Sequence, residues 1–378
     1  MSLTIVAIAL ISALVAYANG ANDVSKGIAT LAGSGVSSYR RAILWGALWT
    51  TCGSIAAFGL SRTMVTTFGR GLLTDSVVPT FPAAIATLVG AGLWVGLATR
   101  FGFPVSTTHA IVGSITGVIS VAYGPAGMNW SVLVGRIVLP LLVSPVASLL
   151  ASAAILKLWN RVSPSGTDCL CAEIVHRGPV LASTAAEVEI IPSTAPLVSF
   201  LTCRENETAA HSLRAIPLIS FDRLHWLSSA AASFARGLND APKMVAIALA
   251  AAALSGFWVH SSIFAYLLIA FGILLGSLQA GRPVTTVLAE KITPMNHREG
   301  FVANVVTSLL VGPGALAGLP MSITHVSSGA IIGIGLEKGN AIDLQRVKDM
   351  TLAWFVTLPA AALLGILTYG LLLAIKIG

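Results

Sequence analysis

One heptapeptide pattern occurs twice. Gly20-Ala21-Asn22-Asp23-Val24-Ser25-Lys26 returns as Gly237-Leu238-Asn239-Asp240-Ala241-Pro242-Lys243, so Asn22 to Asn239 is a step of 217 residues. Pro104-Val105-Ser106-Thr107-Thr108-His109 returns as Pro320-Met321-Ser322-Ile323-Thr324-His325 at a step of 216. Between them, Val65-Thr66-Thr67 returns as Val284-Thr285-Thr286 at a step of 219. Three blocks in one order at nearly one offset mark a duplicated unit. Whatever the chain folds into, two similar halves have to pack together.

The surroundings of these motifs set the solvent. Of 378 residues, 55% are hydrophobic and 10% charged, against about 25% charged in a typical soluble domain. Apolar runs of about 20 residues, the length of a helix that crosses a bilayer, fall near 3–19, 42–60, 78–99, 104–122 and 131–158. A second set falls near 226–254, 260–280, 299–317, 320–336 and 351–376. The sequence therefore predicts an all-α polytopic membrane protein with about 10–12 membrane segments. The first run lacks a basic flank and continues into the first motif, unlike a cleaved signal peptide. The formal net charge of +7 does not point to nucleic acid, because no basic face with interleaved aromatics accompanies it. Basic residues in such a protein collect in cytoplasmic loops.

These runs divide the chain into a membrane repeat at 1–158, a polar linker at 159–225 and a second repeat at 226–378. The linker contains Pro164, Pro179, Pro192, Pro196 and Pro217, and short strands are compatible with it. Arg40 and Arg41 follow the first span, whereas the equivalent loop 255–261 has no Lys or Arg. Arg282, Lys291 and Arg298 follow the next span of the second half. Equivalent loops thus favour opposite sides, which predicts inverted-topology repeats with an odd number of crossings each. The linker then lies in the cytoplasm and both termini outside; Arg62 and Arg70 run against this assignment. The segments 104–122 and 320–336 begin with Pro and are rich in Gly, Ser and Thr. They read as broken or re-entrant helices, which survive at membrane depth only inside protein or against water.

Charged residues inside apolar spans are costly and mark function. Asn22, Asp23 and Lys26, with Asn239, Asp240 and Lys243, are the principal candidates, for cation or proton coupling. Asp and Lys three apart share a helix face, so an Asp–Lys bridge that fixes packing is the simpler alternative. Ser106, Thr107, Thr108, Ser322 and Thr324 stand where a new helix starts. Free N–H groups and hydroxyls there suit an anion; ordinary capping is the alternative. His109 and His325 are accessory candidates or packed neutral rings. Thr67 and Thr286 are weaker candidates, since membrane threonines commonly bond to helix backbone. Cys52 is expected to be a packed thiol. Cys169-Leu170-Cys171, His176 and Cys203 lack the usual zinc spacing, so no metal or cofactor is expected. No phosphate-cradling P-loop, H-E-x-x-H or G-x-S-x-G pattern occurs, which argues against an enzyme.

The paired Asn-Asp motifs, the two Pro-X-Ser-X-Thr-His tips and Ala353-Trp354-Phe355-Val356-Thr357-Leu358-Pro359 together resemble the inorganic phosphate transporter (PiT) family over nearly the whole chain outside the linker. The resemblance implies a homodimeric secondary transporter in the lipid of the cell (inner) membrane, importing inorganic phosphate with sodium ions or protons. It implies a cation site at Asn22, Asp23, Asn239 and Asp240, and an anion site at Ser106, Thr107, Thr108, Ser322 and Thr324. Lys26 replaces the second Asn of the family's first motif, and Ile323 replaces a usual Thr. An ammonium beside a sodium site repels sodium and favours protons as the coupling ion. Sulfate or another oxyanion is the alternative substrate.

Overall fold

The computed structural model describes residues 3–162, 221–254, 262–290, 292–339 and 342–375, together with the backbone of five strands between 169 and 220. Each half builds the same succession of long and short helices. In the first half these are α1 (Leu3–Asp23) and α2 (Ser25–Gly33), then α3 (Tyr39–Leu60), then α4 (Arg62–Thr66) with a π-helical turn at Thr67–Gly71. They are followed by α5 (Phe81–Arg100), α6 (Thr107–Ala122), and α7 (Trp130–Val132), which leads through a π-helical turn into α8 (Leu139–Val162). In the second half they are α9 (Phe221–Leu254), α10 (Ser262–Ala280), α11 (Arg282–Glu290), α12 (His297–Leu316), α13 (Ile323–Glu337) and α14 (Leu344–Ala374). Among the described residues, eight helices are long and apolar enough to cross a membrane. Between the halves lie β1 (Cys169–Val175), β2 (Val180–Thr184), β3 (Glu187–Ile191), β4 (Leu197–Cys203) and β5 (Ala215–Ser220). They pair as an antiparallel β4-β1-β5 sheet and a β2-β3 hairpin. The side chains of Cys169, Cys171 and Cys203, together with His176, Lys291 and the loop 255–261, lie outside the described residues.

Small residues decide which helices meet. A Cβ on Gly20 would stand 2.1 Å from the Ile273 carbonyl oxygen, and one on Gly276 would stand 1.9 Å from that of Tyr17. α1 and α10 therefore cross backbone to backbone. The other halves of the repeats do the same: a Cβ on Gly237 would meet the Thr50 carbonyl at 2.2 Å, and one on Gly53 the Phe234 carbonyl at 2.1 Å. α9 thus crosses α3 as α1 crosses α10. The glycines of the Pro-initiated helices follow the same rule. Gly113 lies against Leu358 and Gly117 against Ala362 of α14, while Gly329 lies against Pro145 and Gly333 against Leu149 of α8. Each short helix is enclosed by the last long helix of the opposite half, so its abundant glycine reflects close packing.

The first motif interrupts its helix at a place where the copy does not. The carbonyl of Asn22 accepts the Ser25 hydroxyl and the Lys26 ammonium, and the helix breaks for one residue at Val24. Side-chain donors entering the backbone ladder are a recognised cause of such breaks. In the copy, Pro242 stands where Ser25 stands in the first half and has no N–H to give the ladder; α9 nevertheless runs on.

One end of the bundle is rich in charge and aromatic rings. Tyr39 bonds to Glu290 and lies under Arg282. Asp222 meets His297, Lys338 meets Glu299, and Arg298 lies over Trp159 and Phe221. Cys52 is exposed on α3, not packed as expected, because its neighbours Gly53 and Ser54 occupy the face turned to α9.

Gly20→Ala and Gly237→Ala are each expected to cost about 1–3 kcal/mol, the range for forced overpacking. Gly59→Ala, with nothing within 4 Å of the added carbon, is expected to be neutral. Thermal unfolding of the three variants in detergent checks this.

Candidate functional site

The two motifs meet in one buried cluster. Lys26 Nζ lies 2.6 Å from Asp23 Oδ1 and Lys243 Nζ lies 3.2 Å from Asp240 Oδ1, the i,i+3 pairs that a helix places on one face. All four side chains are at most 3% exposed. Charges removed from water at a cost of several kcal/mol per ion must be paired and hydrogen-bonded, and here they are. Lys26 Nζ also donates to the Asn22 carbonyl and Oδ1, and Lys243 Nζ donates to Thr108 Oγ1 at 2.6 Å.

The asparagines hold the helix tips. Asn22 donates to the Phe103 carbonyl and to Thr99 Oγ1, and its Oδ1 accepts from the Val105 N–H. Asn239 donates to the Met321 carbonyl and accepts from the Met321 N–H. Each side chain thus pairs with the extended strand that leads through Pro104 or Pro320 into its tip.

The tips then clasp each other. Thr108 donates to the Met321 carbonyl at 3.2 Å, and Thr324 donates to the Val105 carbonyl at 2.8 Å. These residues are counterparts, so each tip makes the same bond to the other. Reciprocity of this kind is the mark of a two-fold relation. Ser106 and Ser322 act as N-caps, accepting from the His109 and His325 N–H groups; a hydroxyl that accepts keeps a proton to donate. Thr107 donates to Asp23 Oδ2 at 2.6 Å. Its counterpart Ile323 packs with Ala235, Val311 and Val326 instead. The His109 and His325 rings lie tilted against each other with centroids 4.5 Å apart, and His325 is tilted likewise against Trp354. Thr67 and Thr286 stand apart, bonded to carbonyls of their own helices at Thr63 and Arg282.

Sequence reasoning missed two residues. Arg236, fully buried, sends Nη2 to the carbonyl and Oδ1 of Asn19 and Nη1 to Thr50 Oγ1, while Nε faces Asp240 Oδ2 at 3.7 Å. Asn19 donates toward Asp23 Oδ2, Thr107 Oγ1 and Asp240 Oδ2, joining both carboxylates to one tip. Asn19 and Arg236 occupy equivalent positions in the two repeats. A buried arginine within an apolar run was the available signal. Lys26, Arg236 and Lys243 against Asp23 and Asp240 leave a formal charge of +1 beside two helix N-termini.

Long apolar helices around a buried, doubly represented ionic cluster define a multi-pass membrane protein with the features of an ion or anion transporter. The sequence profile described as the phosphate transporter family matches residues 19–365. The chain belongs to that family, whose members are transporters and not enzymes. It is 27% identical to a candidate phosphate permease of Thermococcus kodakarensis, over 95% of each chain. It is 28% identical to the chloroplastic inorganic phosphate transporter 2-1 of Arabidopsis thaliana, over 92% of this chain and 68% of the other. A solved structure titled the sodium-dependent phosphate transporter superposes with a TM-score of 0.78 at 23% identity, covering 99% of this chain and 100% of that one; its fold is shared.

Asp23→Asn strips Lys26 and Thr107 of their charged partner, and Asp240→Asn does so for Lys243 and Arg236. Each is expected to reduce phosphate uptake to the level of empty liposomes. Breaking a buried pair from one side is also expected to cost about 3–5 kcal/mol of stability. Uptake assays and thermal unfolding of the purified variants check both outcomes.

Proposed function

We propose that the protein imports inorganic phosphate across the cell membrane by alternating access, driven by protons. The observation that carries the reading is the cluster's net positive charge beside two facing helix N-termini. Helix N-termini favour anions, and a surplus cation makes an anion the charge-balancing guest. Phosphate at neutral pH retains at least one proton and can donate to Asp23 or Asp240. Sulfate carries none and would meet those carboxylates as an unrelieved repulsion.

Ser106, Thr107, Thr108, Ser322 and Thr324 form the anion side of this site. The Thr108 and Thr324 hydroxyls clasp the tips together until the guest arrives. Asn22, Asp23, Lys26, Asn239, Asp240 and Lys243 form the coupling side. Lys26 and Lys243 already satisfy the carboxylates, so like charge disfavours a sodium ion there. A carboxylate beside an ammonium can still exchange a proton when the arriving anion changes the local field. The reciprocal tip bonds and the exchanged pairing of α1–α10 with α9–α3 support inverted repeats at 1–158 and 226–378. Rocking one repeat against the other is the usual route of alternating access in such folds. The charged and aromatic end, with Arg282 and Arg298, is the cytoplasmic one by the positive-inside rule. The outward faces of α8 and α14 contact lipid or a second copy in a homodimer.

In proteoliposomes, labelled phosphate is expected to accumulate when the outside is acidic. Uptake should be unchanged when choline replaces sodium, and excess sulfate should compete weakly. Sodium-driven uptake at fixed pH that ignores a proton ionophore would overturn the coupling; equal competition by sulfate would overturn the substrate. The linker repeats no motif, so replacing 165–215 with a flexible Gly/Ser segment is expected to leave uptake intact. An inserted but inactive protein would make the linker a working part.

A further inference from the structure

The surroundings of Arg236 consist of oxygen ligands from three helices. The Asn19 carbonyl and Oδ1 come from α1, Thr50 Oγ1 from α3 and Asp240 Oδ2 from α9. A backbone carbonyl, an amide oxygen, a hydroxyl and a carboxylate are the kinds of ligand that hold small monovalent cations inside transporters. The guanidinium does not use this cage fully, since its Nε has no hydrogen-bond partner among the described residues. The cage sits at two close helix crossings. Thr50 lies at the glycine crossing of α3 and α9, and Asn19 adjoins the crossing of α1 and α10. Its two ends touch the rest of the site, because Asn19 bonds toward Asp23, Thr107 and Asp240.

We propose that Arg236 is a tethered cation occupying a monovalent-cation site formed by Asn19, Thr50 and Asp240, so that removing it makes the protein require a free cation of sodium's size. This rests on the reading of the cluster as the transport site and adds a residue that fixes its choice of coupling ion. A guanidinium anchored to α9 neutralises Asp240 in every state of the cycle. It cannot cross the membrane, so it supplies the charge without supplying a driving force. Truncation to alanine leaves the same oxygens, with Asp240 Oδ2 freed of the guanidinium and Oδ1 still held by Lys243, and it removes the surplus charge that a bound monovalent cation would restore. A sodium ion with residual water fits that chemistry, whereas choline, a bulky quaternary ammonium, does not.

The test compares wild type, Arg236→Ala and Arg236→Lys in choline chloride and in sodium chloride. Thermal unfolding of purified protein without phosphate is the first measurement. Sodium is expected to raise the Tm of Arg236→Ala by several degrees relative to choline and to leave wild type and Arg236→Lys unmoved. Phosphate uptake is the second. Uptake by Arg236→Ala in choline should fall at least about ten-fold, the scale of an ordinary coupling between sites, and sodium should restore it with a saturable dependence. Equal Tm in both salts, or uptake by Arg236→Ala in choline at the wild-type rate, would overturn the proposal. If Arg236→Ala yields no folded protein in choline, its recovery in sodium supports the proposal, and failure in both salts, with Arg236→Gln failing likewise, counts against it. The unfolding measurement needs no phosphate. A wild type that does not move phosphate would therefore refute the proposed substrate while leaving the sodium-dependent shift to decide the role of Arg236.

Discussion

Five charged side chains are held out of water within one cluster, and each is stable there only because the others are present. Desolvating an ion costs several kcal/mol, returned only by close partners and complete hydrogen bonding. Asp23 is met by Lys26, Thr107 and Asn19, and Asp240 by Lys243, Asn19, Asn239 and Arg236. These partners come from α1, α2, α6 and α9, which belong to both halves. The first repeat satisfies Asp23 and Lys26 from its own residues, whereas Asp240, Arg236 and Lys243 also draw on Asn19, Thr50 and Thr108 of the first, so the second half's charges are completed only when the halves dock. The glycine crossings serve the same end by letting the helix axes approach closely enough for side chains of three or four atoms to bridge them.

The cluster gives the clasp between the tips its chemical meaning. Thr108 both donates to Met321 and accepts from Lys243, while Thr107 donates to Asp23. An oxyanion entering between the tips would compete for these donors and draw on both lysines at once. On the proposed reading of this site, substrate binding and charge redistribution are in this way one event, the requirement for any coupled carrier.

Much of this was legible in the sequence because duplication exposes function twice. The Asp–Lys spacing allowed for the ion pairs, and the Pro-X-Ser-X-Thr-His blocks marked the starts of new helices. Other features were hidden for physical reasons. α4 and α11 are too short and too polar at their ends to register as apolar runs. The glycines of α6 and α13 lie in the short Pro-initiated helices that the sequence predicts, but their close contact with α14 and α8 is a tertiary fact that no local pattern carries. Thr67 and Thr286 repeat in sequence but serve their own helices. Arg236 escaped notice because its repeat partner is Asn19, so a search for identities between the halves passes over it.

Among the equivalent positions that no longer match, three change the chemistry of the site: Asn19 with Arg236, Ser25 with Pro242, and Thr107 with Ile323. In a carrier made of two identical inverted halves, the outward-facing and inward-facing forms arise by exchanging the shapes of the halves and are equal in free energy. Each mismatch removes that degeneracy. On the inverted-repeat reading proposed above, an arginine, a proline and a lost hydroxyl on the second half would give the empty carrier a preferred side of the membrane at rest and unequal rates for the two directions of return.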